Sequence, residues 1–144
     1  MAGQNAAMPH TGGCLCRKIR FTLTAEPLAM RLCWCKVCQA FASGNATVNL
    51  VFPSNALTIE GEPRDYTSIV DSGTRMHRRF CPDCGTHLFS EAESRPHLVI
   101  VRNGALDDRE LATPGATIWT ESAPSWAWID ESLPQFNGQP PPVA

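Results

Sequence analysis

A mainly β domain with little helix is the expectation for this chain. Two observations carry it. Apolar residues recur with period two. The alternating stretches are short and follow one another about every ten residues, with Gly, Pro, Asn and Asp between them. Seven cysteines in three tight clusters add metal or thiol chemistry to that expectation. The strand spacing is that of an all-β sandwich or barrel.

The elements follow in order along the chain. Residues 1–11 are polar and Ala/Gly-rich, with Pro9, and read as a flexible tail. In residues 18–24, Ile19, Phe21 and Leu23 alternate with polar neighbours, which makes a half-buried strand. Residues 28–33 form a second strand, and 36–42 are the best helix candidate. Residues 47–52 are rich in β-branched and aromatic side chains and stop at Pro53. Residues 57–60 run into Gly61, and 66–70 follow after Pro63. Residues 74–80, 86–90 and 98–102 complete the set. A short helical turn is expected near 126–130. Trp119, Trp126 and Trp128 are expected to pack a C-terminal segment over the sheet. Residues 135–144 contain Pro140, Pro141 and Pro142, which exclude regular helix and a central strand, so this end reads as a tail. One domain over residues 12–134 remains.

Composition bounds the function. The chain has 144 residues, room for a single domain. Twelve Lys and Arg against fourteen Asp and Glu give a net charge of −2, which argues against duplex nucleic acid as a partner because phosphate binding needs a positive surplus. No run of about 18 apolar residues suggests a membrane span, and residues 1–11 show no apolar signal core. These features point to a cytoplasmic chain. In a reducing compartment clustered cysteines serve metal or thiol chemistry more often than disulfides, and an odd number cannot all pair.

The clusters are Cys14-Leu15-Cys16 after Gly12-Gly13, Cys33-Trp34-Cys35-Lys36-Val37-Cys38, and Cys81-Pro82-Asp83-Cys84-Gly85. A C-x-x-C turn can aim two thiolates at one tetrahedral ion, and Gly85 permits the tight backbone this needs. Seven divides most simply into four and three. Cys81 and Cys84 pair best with Cys14 and Cys16, giving a closed structural zinc site, because this leaves Cys33, Cys35 and Cys38 together. Three thiolates leave one position of a tetrahedral ion open, the form of catalytic zinc sites. Such an electron-rich ion suits a soft incoming thiolate better than hydroxide. Two other readings of the trio stand beside this one: a second structural site completed by His87 or His77, and a redox group that closes a disulfide under oxidation.

Other polar residues are less specific. Alternation puts Arg75, His77 and Arg79 on one strand face and Met76, Arg78 and Phe80 on the other. Arg75, Arg78 and Arg79 are candidates for binding the carboxylates of an acidic thiol, and a solvated strand face is the competing reading. His87 follows the C-x-x-C-G-T turn and is a secondary candidate for a place near either metal, a satisfied structural histidine being the competing reading. His10 and His97 read as surface residues. Asp107-Asp108 reads as a turn held by local side-chain to backbone bonds.

Together, Gly12-Gly13-Cys14-Leu15-Cys16, Cys33-Trp34-Cys35-Lys36-Val37-Cys38, Arg78-Arg79-Phe80-Cys81-Pro82-Asp83-Cys84-Gly85-Thr86 and Gly104-Ala105-Leu106-Asp107-Asp108 resemble the glutathione-dependent formaldehyde-activating enzyme family. The resemblance runs from about Gly12 to Pro134. It implies an Mss4-like fold of antiparallel β-sheets with zinc knuckles, and two zinc ions per chain. Cys14, Cys16, Cys81 and Cys84 would hold the structural zinc, and Cys33, Cys35 and Cys38 the zinc at which glutathione is handled. The implied reaction is carbon–sulfur lyase chemistry in reverse, joining formaldehyde or another small aldehyde to glutathione or a similar thiol. Three positions depart from the family pattern. Trp34 stands where many members have His, Arg17 where Gly commonly follows the first C-x-C, and Thr117 where many carry His. They motivate a second reading, a non-catalytic zinc-binding interaction module on the same scaffold. The tryptophans and the Pro-rich end are candidates for a homodimer contact.

Overall fold

The computed structural model describes residues 8–144. Ten strands and one short helix follow in order: β1 (His10–Gly13), β2 (Arg20–Leu23), β3 (Ala29–Cys33), α1 (Lys36–Phe41), β4 (Thr47–Pro53), β5 (Leu57–Glu60), β6 (Arg64–Ile69), β7 (Arg75–Phe80), β8 (His87–Ala92), β9 (Leu98–Arg102) and β10 (Ala116–Ile118). They form a three-stranded sheet, β1-β2-β5, and a seven-stranded sheet, β10-β3-β4-β9-β8-β7-β6. No helix among the described residues is long and apolar enough to cross a membrane. The mainly β expectation holds, with one qualification: β10 pairs parallel to β3, while all other strand pairs are antiparallel.

The two sheets meet through one apolar face each. Ile19, Phe21 and Leu23 of the β2 region pack on Leu50 and Phe52 of β4, Phe89 of β8, and Val99 and Val101 of β9. The alternation read in residues 18–24 is therefore the inward face of a covering sheet. Phe21 and Phe89 meet edge to face, with ring centroids 5.0 Å apart. Gly12 makes the fit possible. A Cβ there would lie 2.3 Å from the Ala105 carbonyl oxygen and 2.3 Å from the Phe21 ring, so β1 can pass only as bare backbone.

Several expectations change at the ends of the chain. Residues 1–7 of the expected N-terminal tail lie outside the described residues. His10 and Thr11 belong to β1, whose Gly-rich sequence gives no strand signal but which pairs fully with β2. His10 is buried, not a surface residue, and its Nε2 lies 3.1 Å from Glu26 Oε2. Asp107 is more than a local turn. It receives both arms of the Arg20 guanidinium and the Thr11 hydroxyl, across the whole sequence, and these hold its carboxyl down at about 2. The expected helical turn at 126–130 is a reverse turn at Pro124–Ala127. Trp126 and Trp128 are exposed, so they do not cover the sheet; the buried tryptophan is Trp34, which meets Trp126 edge to face. The C-terminal stretch is not a loose tail where it begins. Gln135 bridges to Thr117, and the Phe136 amide donates to the Thr117 carbonyl at 2.9 Å.

Arg17 has φ = 68°, a left-handed conformation that glycine adopts freely and other residues adopt at a cost of roughly 1–2 kcal/mol. This explains physically why glycine is favoured after the first C-x-C. Arg17→Gly is expected to raise unfolding stability by about 1 kcal/mol, part of the gain being lost to backbone entropy. In the core, Phe21→Ala should cost about 3–5 kcal/mol, whereas Leu15→Ala, at an exposed position, should fall within about ±0.5 kcal/mol. Denaturant titration of the metal-loaded chain measures all three.

Candidate functional site

The first cysteine group ties the two sheets together. Cys14 and Cys16 lie in the β1–β2 loop, and Cys81 and Cys84 in the β7–β8 loop. Their four sulfurs lie within 4.8 Å of one another, with Cys14 to Cys16 at 3.5 Å and Cys16 to Cys81 at 3.7 Å. Sulfurs at the corners of a zinc tetrahedron stand about 3.8 Å apart, from a Zn–S bond of about 2.3 Å. The group therefore fits a zinc ion, and the spacing is far too long for disulfides. All seven cysteines are free.

Backbone amides prepare these sulfurs as anions. Ile19 N–H donates to Cys14 Sγ at 3.3 Å, and Asp83 and Cys84 N–H donate to Cys81 Sγ at 3.4 and 3.5 Å. Gly85, at φ = 78°, gives the turn its left-handed residue. Thr86 joins the two loops, a role the sequence pattern did not reveal. Its oxygen accepts from Leu15 N–H at 3.0 Å, so its own hydrogen is free for Cys84 Sγ at 3.2 Å. The Thr86 hydroxyl, with its amide, holds the Cys84 thiol down at about 5. Cys16 shows the opposite pressure. The Lys18 amide favours its thiolate, but desolvation and the three neighbouring sulfurs outweigh it and push the thiol up to about 12. Four thiolates so close together need a cation among them. Lys18 Nζ closes the clip with a surface contact to Asp83 at 2.6 Å.

Cys33, Cys35 and Cys38 form the second group, again with sulfurs within 4.8 Å of one another. Cys33 ends β3, Cys35 caps α1, and Cys38 lies in its first turn. The Cys35 sulfur accepts from the Cys38 amide at 3.3 Å, so the helix start and the ligand turn are one structure. The helix ends where Ser43 and Gly44 both take positive φ. Gln39 braces the loop by donating to the carbonyls of Trp34 at 2.7 Å and Ser122 at 3.0 Å. Ile118, Trp119 and Phe136 pack around the cysteines as an apolar wall. Shared protons divide the trio: bonding from Cys35, then Cys38, and burial raise the Cys33 thiol far above its ordinary range, while donation from Cys33 and Cys35 lowers Cys38. Three sulfurs that disfavour being anions together fit a divalent ion as the first group does.

No histidine or carboxylate among the described residues completes this group within the same reach. His77 is held by Asp65 and Glu93, each at 2.6 Å. His87 comes to the same side by a β-bulge between Arg79 and Phe80, which places it opposite Phe80, and its ring meets Phe41 at a tilt, with centroids 4.6 Å apart. Burial, then Arg102 and Arg78, lower His87 to about 4, so it is neutral.

The three expected arginines do not form one surface. Arg75 and Arg79 face Glu93 and Glu91, with Arg79 donating at 3.0 Å. Arg78 lies on the opposite face, buried, donating to Ser68 Oγ at 2.9 Å with its guanidinium over the Phe41 ring. A different arginine is free. Arg31 shares the Cys33 face of β3 and pairs with no carboxylate among the described residues. Desolvation lowers its proton affinity. It lines a cleft of about 530 Å³ with Leu28, Ala29, Ala116 and Phe136. Phe136 belongs also to the wall of the second cysteine group, so the cleft and that group share this ring. The departures at 34 and 117 are packing positions. Trp34 is buried beside Trp126, and Thr117 pairs with Leu32, on the sheet face opposite Cys33.

The family model for "Glutathione-dependent formaldehyde-activating enzyme" matches residues 9–122. Two fungal proteins, both provisionally named as glutathione-dependent formaldehyde-activating enzymes, are similar. The one from Emericella nidulans is 29% identical over 80 residues, and the one from Talaromyces marneffei 32% over 76 residues. These matches cover 56% and 53% of this chain but 40% of each fungal protein. A crystal structure of a Rhodobacter sphaeroides protein shares the fold, with TM-score 0.56 and 20% identity over 72% of this chain and 96% of that one. With a family match that takes in both cysteine groups and most of the domain, this chain belongs to the glutathione-dependent formaldehyde-activating enzyme family.

Proposed function

We propose that the chain is a zinc-dependent carbon–sulfur lyase that condenses a small aldehyde with glutathione or a similar thiol, holding two zinc ions. The observation that carries this reading is the contrast between the two cysteine groups. One offers four sulfurs and is closed; the other offers three, with no further protein ligand in reach among the described residues. Zinc bound by Cys33, Cys35 and Cys38 would supply Lewis-acid stabilisation to a thiolate at its open position. The closed clip of Cys14, Cys16, Cys81 and Cys84 takes the structural role.

The chain's own residues bind and orient. Arg31 receives a carboxylate of the thiol by a charge-assisted bond inside the cleft. In the proposed reading Arg31 takes the role first expected of Arg75, Arg78 and Arg79, two of which are neutralised by their own glutamates. Ile118, Trp119 and Phe136 limit water around the sulfur that reacts. In the reaction the thiol sulfur attacks the carbonyl carbon and a C–S bond forms. The carbonyl π pair moves to oxygen, and the proton lost from the thiol ends on that oxygen as a hydroxyl. No redox change occurs.

Purified chain is expected to contain two zinc ions, and Cys35→Ser one, with loss of thiol-dependent formaldehyde consumption. Cys84→Ser should instead lose folded protein, read by circular dichroism. Absence of aldehyde consumption with any common low-molecular-weight thiol overturns the lyase reading in favour of the interaction module. Arg31→Ala should raise KM for glutathione roughly tenfold or more, the loss of one charge-assisted bond, with little change in kcat. An unchanged KM removes Arg31 from the binding site.

A further inference from the structure

Two buried cations on one face of the seven-stranded sheet have no part in the proposed reaction and no carboxylate partner. Arg78 of β7 is 6% exposed and Arg102 of β9 is 8% exposed, and neither pairs with an acid among the described residues. Each donates to neutral oxygens instead: Arg78 to Ser68 Oγ at 2.9 Å, and Arg102 to Ser90 Oγ at 2.7 Å and to Asn49 Oδ1. The acids of this part of the sheet are already engaged. Asp65, Glu91 and Glu93 serve His77, Arg79 and Arg75, which strand alternation puts on the other face. A buried charge without an opposite charge is costly, and a guanidinium can only donate.

The sheet brings these groups together. Ser90, which accepts from Arg102, stands directly opposite Arg78 across β7 and β8. The Phe41 ring lies over the Arg78 guanidinium at 5.6 Å and meets the His87 ring with centroids 4.6 Å apart, so one aromatic group covers both. Two buried nitrogens here have no hydrogen-bond partner among the described residues, Arg102 Nε and His87 Nε2. Arg102 Nε carries a hydrogen with nowhere to go, and His87 Nε2 donates in one of the two neutral tautomers. Phe41 and Tyr66, with ring centroids 6.5 Å apart, are both open to solvent, and Tyr66 stands opposite Arg78 on the edge strand β6, so the Arg78 side of the group lies next to the surface. We infer that Arg78 and Arg102, with His87, form a carboxylate-binding site beneath Phe41, separate from the Arg31 cleft. The ligand class follows from the donor set. Two guanidiniums and an imidazole N–H, with no acid beside them, take a planar oxyanion that brings lone pairs and a negative charge. A carboxylate offers both, whether as a free small acid or as part of the bound thiol.

Acetate is the probe, titrated into the full zinc-loaded chain with ionic strength held constant by chloride. An Arg31→Ala background silences the cleft. Binding is followed by calorimetry and by the nuclear magnetic resonance signal of the Arg102 Nε–H. That signal is expected to move along a saturation curve, in Arg31→Ala as in the wild type. Adding Arg78→Met should weaken binding roughly tenfold or more, the loss of one charge-assisted bond. His87→Phe keeps a ring against Phe41, removes the nitrogens and should weaken binding less. Glutathione that displaces acetate assigns the carboxylate to the thiol, and glutathione that leaves acetate bound assigns it to a separate small acid; both uphold the site. An Arg102 signal that acetate does not move, or an affinity unchanged by Arg78→Met, overturns the inference. If Arg78→Met does not fold, the Arg102 signal in the Arg31→Ala chain decides. Zinc content and aldehyde consumption are read separately, so the lyase reading stands or falls on its own.

Discussion

Four sulfurs less than 5 Å apart, drawn from two loops of two different sheets, set the terms for the rest of this molecule. Such a group is unfavourable without a positive charge at its centre and strongly bound with one. The consequence is mechanical. The three-stranded sheet is small, and two of its strands have four residues on either side of the cysteine loop. Its apolar face would be a marginal cover by itself. The clip between the β1–β2 and β7–β8 loops fixes that cover over Leu50, Phe52, Phe89 and Val101. Thr86 and the Lys18–Asp83 pair are the proteinaceous part of the same fastening.

With one face of the seven-stranded sheet closed in this way, its other face carries the three-cysteine group. The alternation along β4 makes the division visible. Leu50 and Phe52 point to the core, while Thr47 and Asn49 point to the cysteine trio. β9 does the same with Val99 and Val101 against Arg102. One strand thus supplies a core residue and a site residue by turns. The three-cysteine group inherits its rigidity from the packed layer behind it.

The period-two stretches and the division of the cysteines were legible in the sequence, because both depend on local spacing. Residues 57–60 and 98–102 coincide with β5 and β9, and 36–42 contains α1. What could not be read depends on partners far away. β1 contains Gly12 and Gly13, which have poor strand propensity, and exists because β2 offers it a full register. β10 has three residues, too few to show a period, and its parallel pairing follows from the long return past β9. The surroundings of Arg75, Arg78 and Arg79 could not be read for a related reason. Three in a row stand out in a sequence, but strand neighbours decide which are neutralised. Arg31 stands two positions before Cys33 on β3, and the cross-strand row through Asn49 sets Arg102 on the same sheet face.

The parallel placement of β10 means that ligands and enclosure come from different parts of the chain. Cys33, Cys35 and Cys38 arise from one β-to-α turn, whereas Ile118, Trp119 and Phe136 arrive from the C-terminal fifth, carried in by β10 and the bridge at Gln135. The fold therefore separates the three sulfurs from the residues that wall them in, so changes over 116–138 can reshape that wall without touching any of the three cysteines.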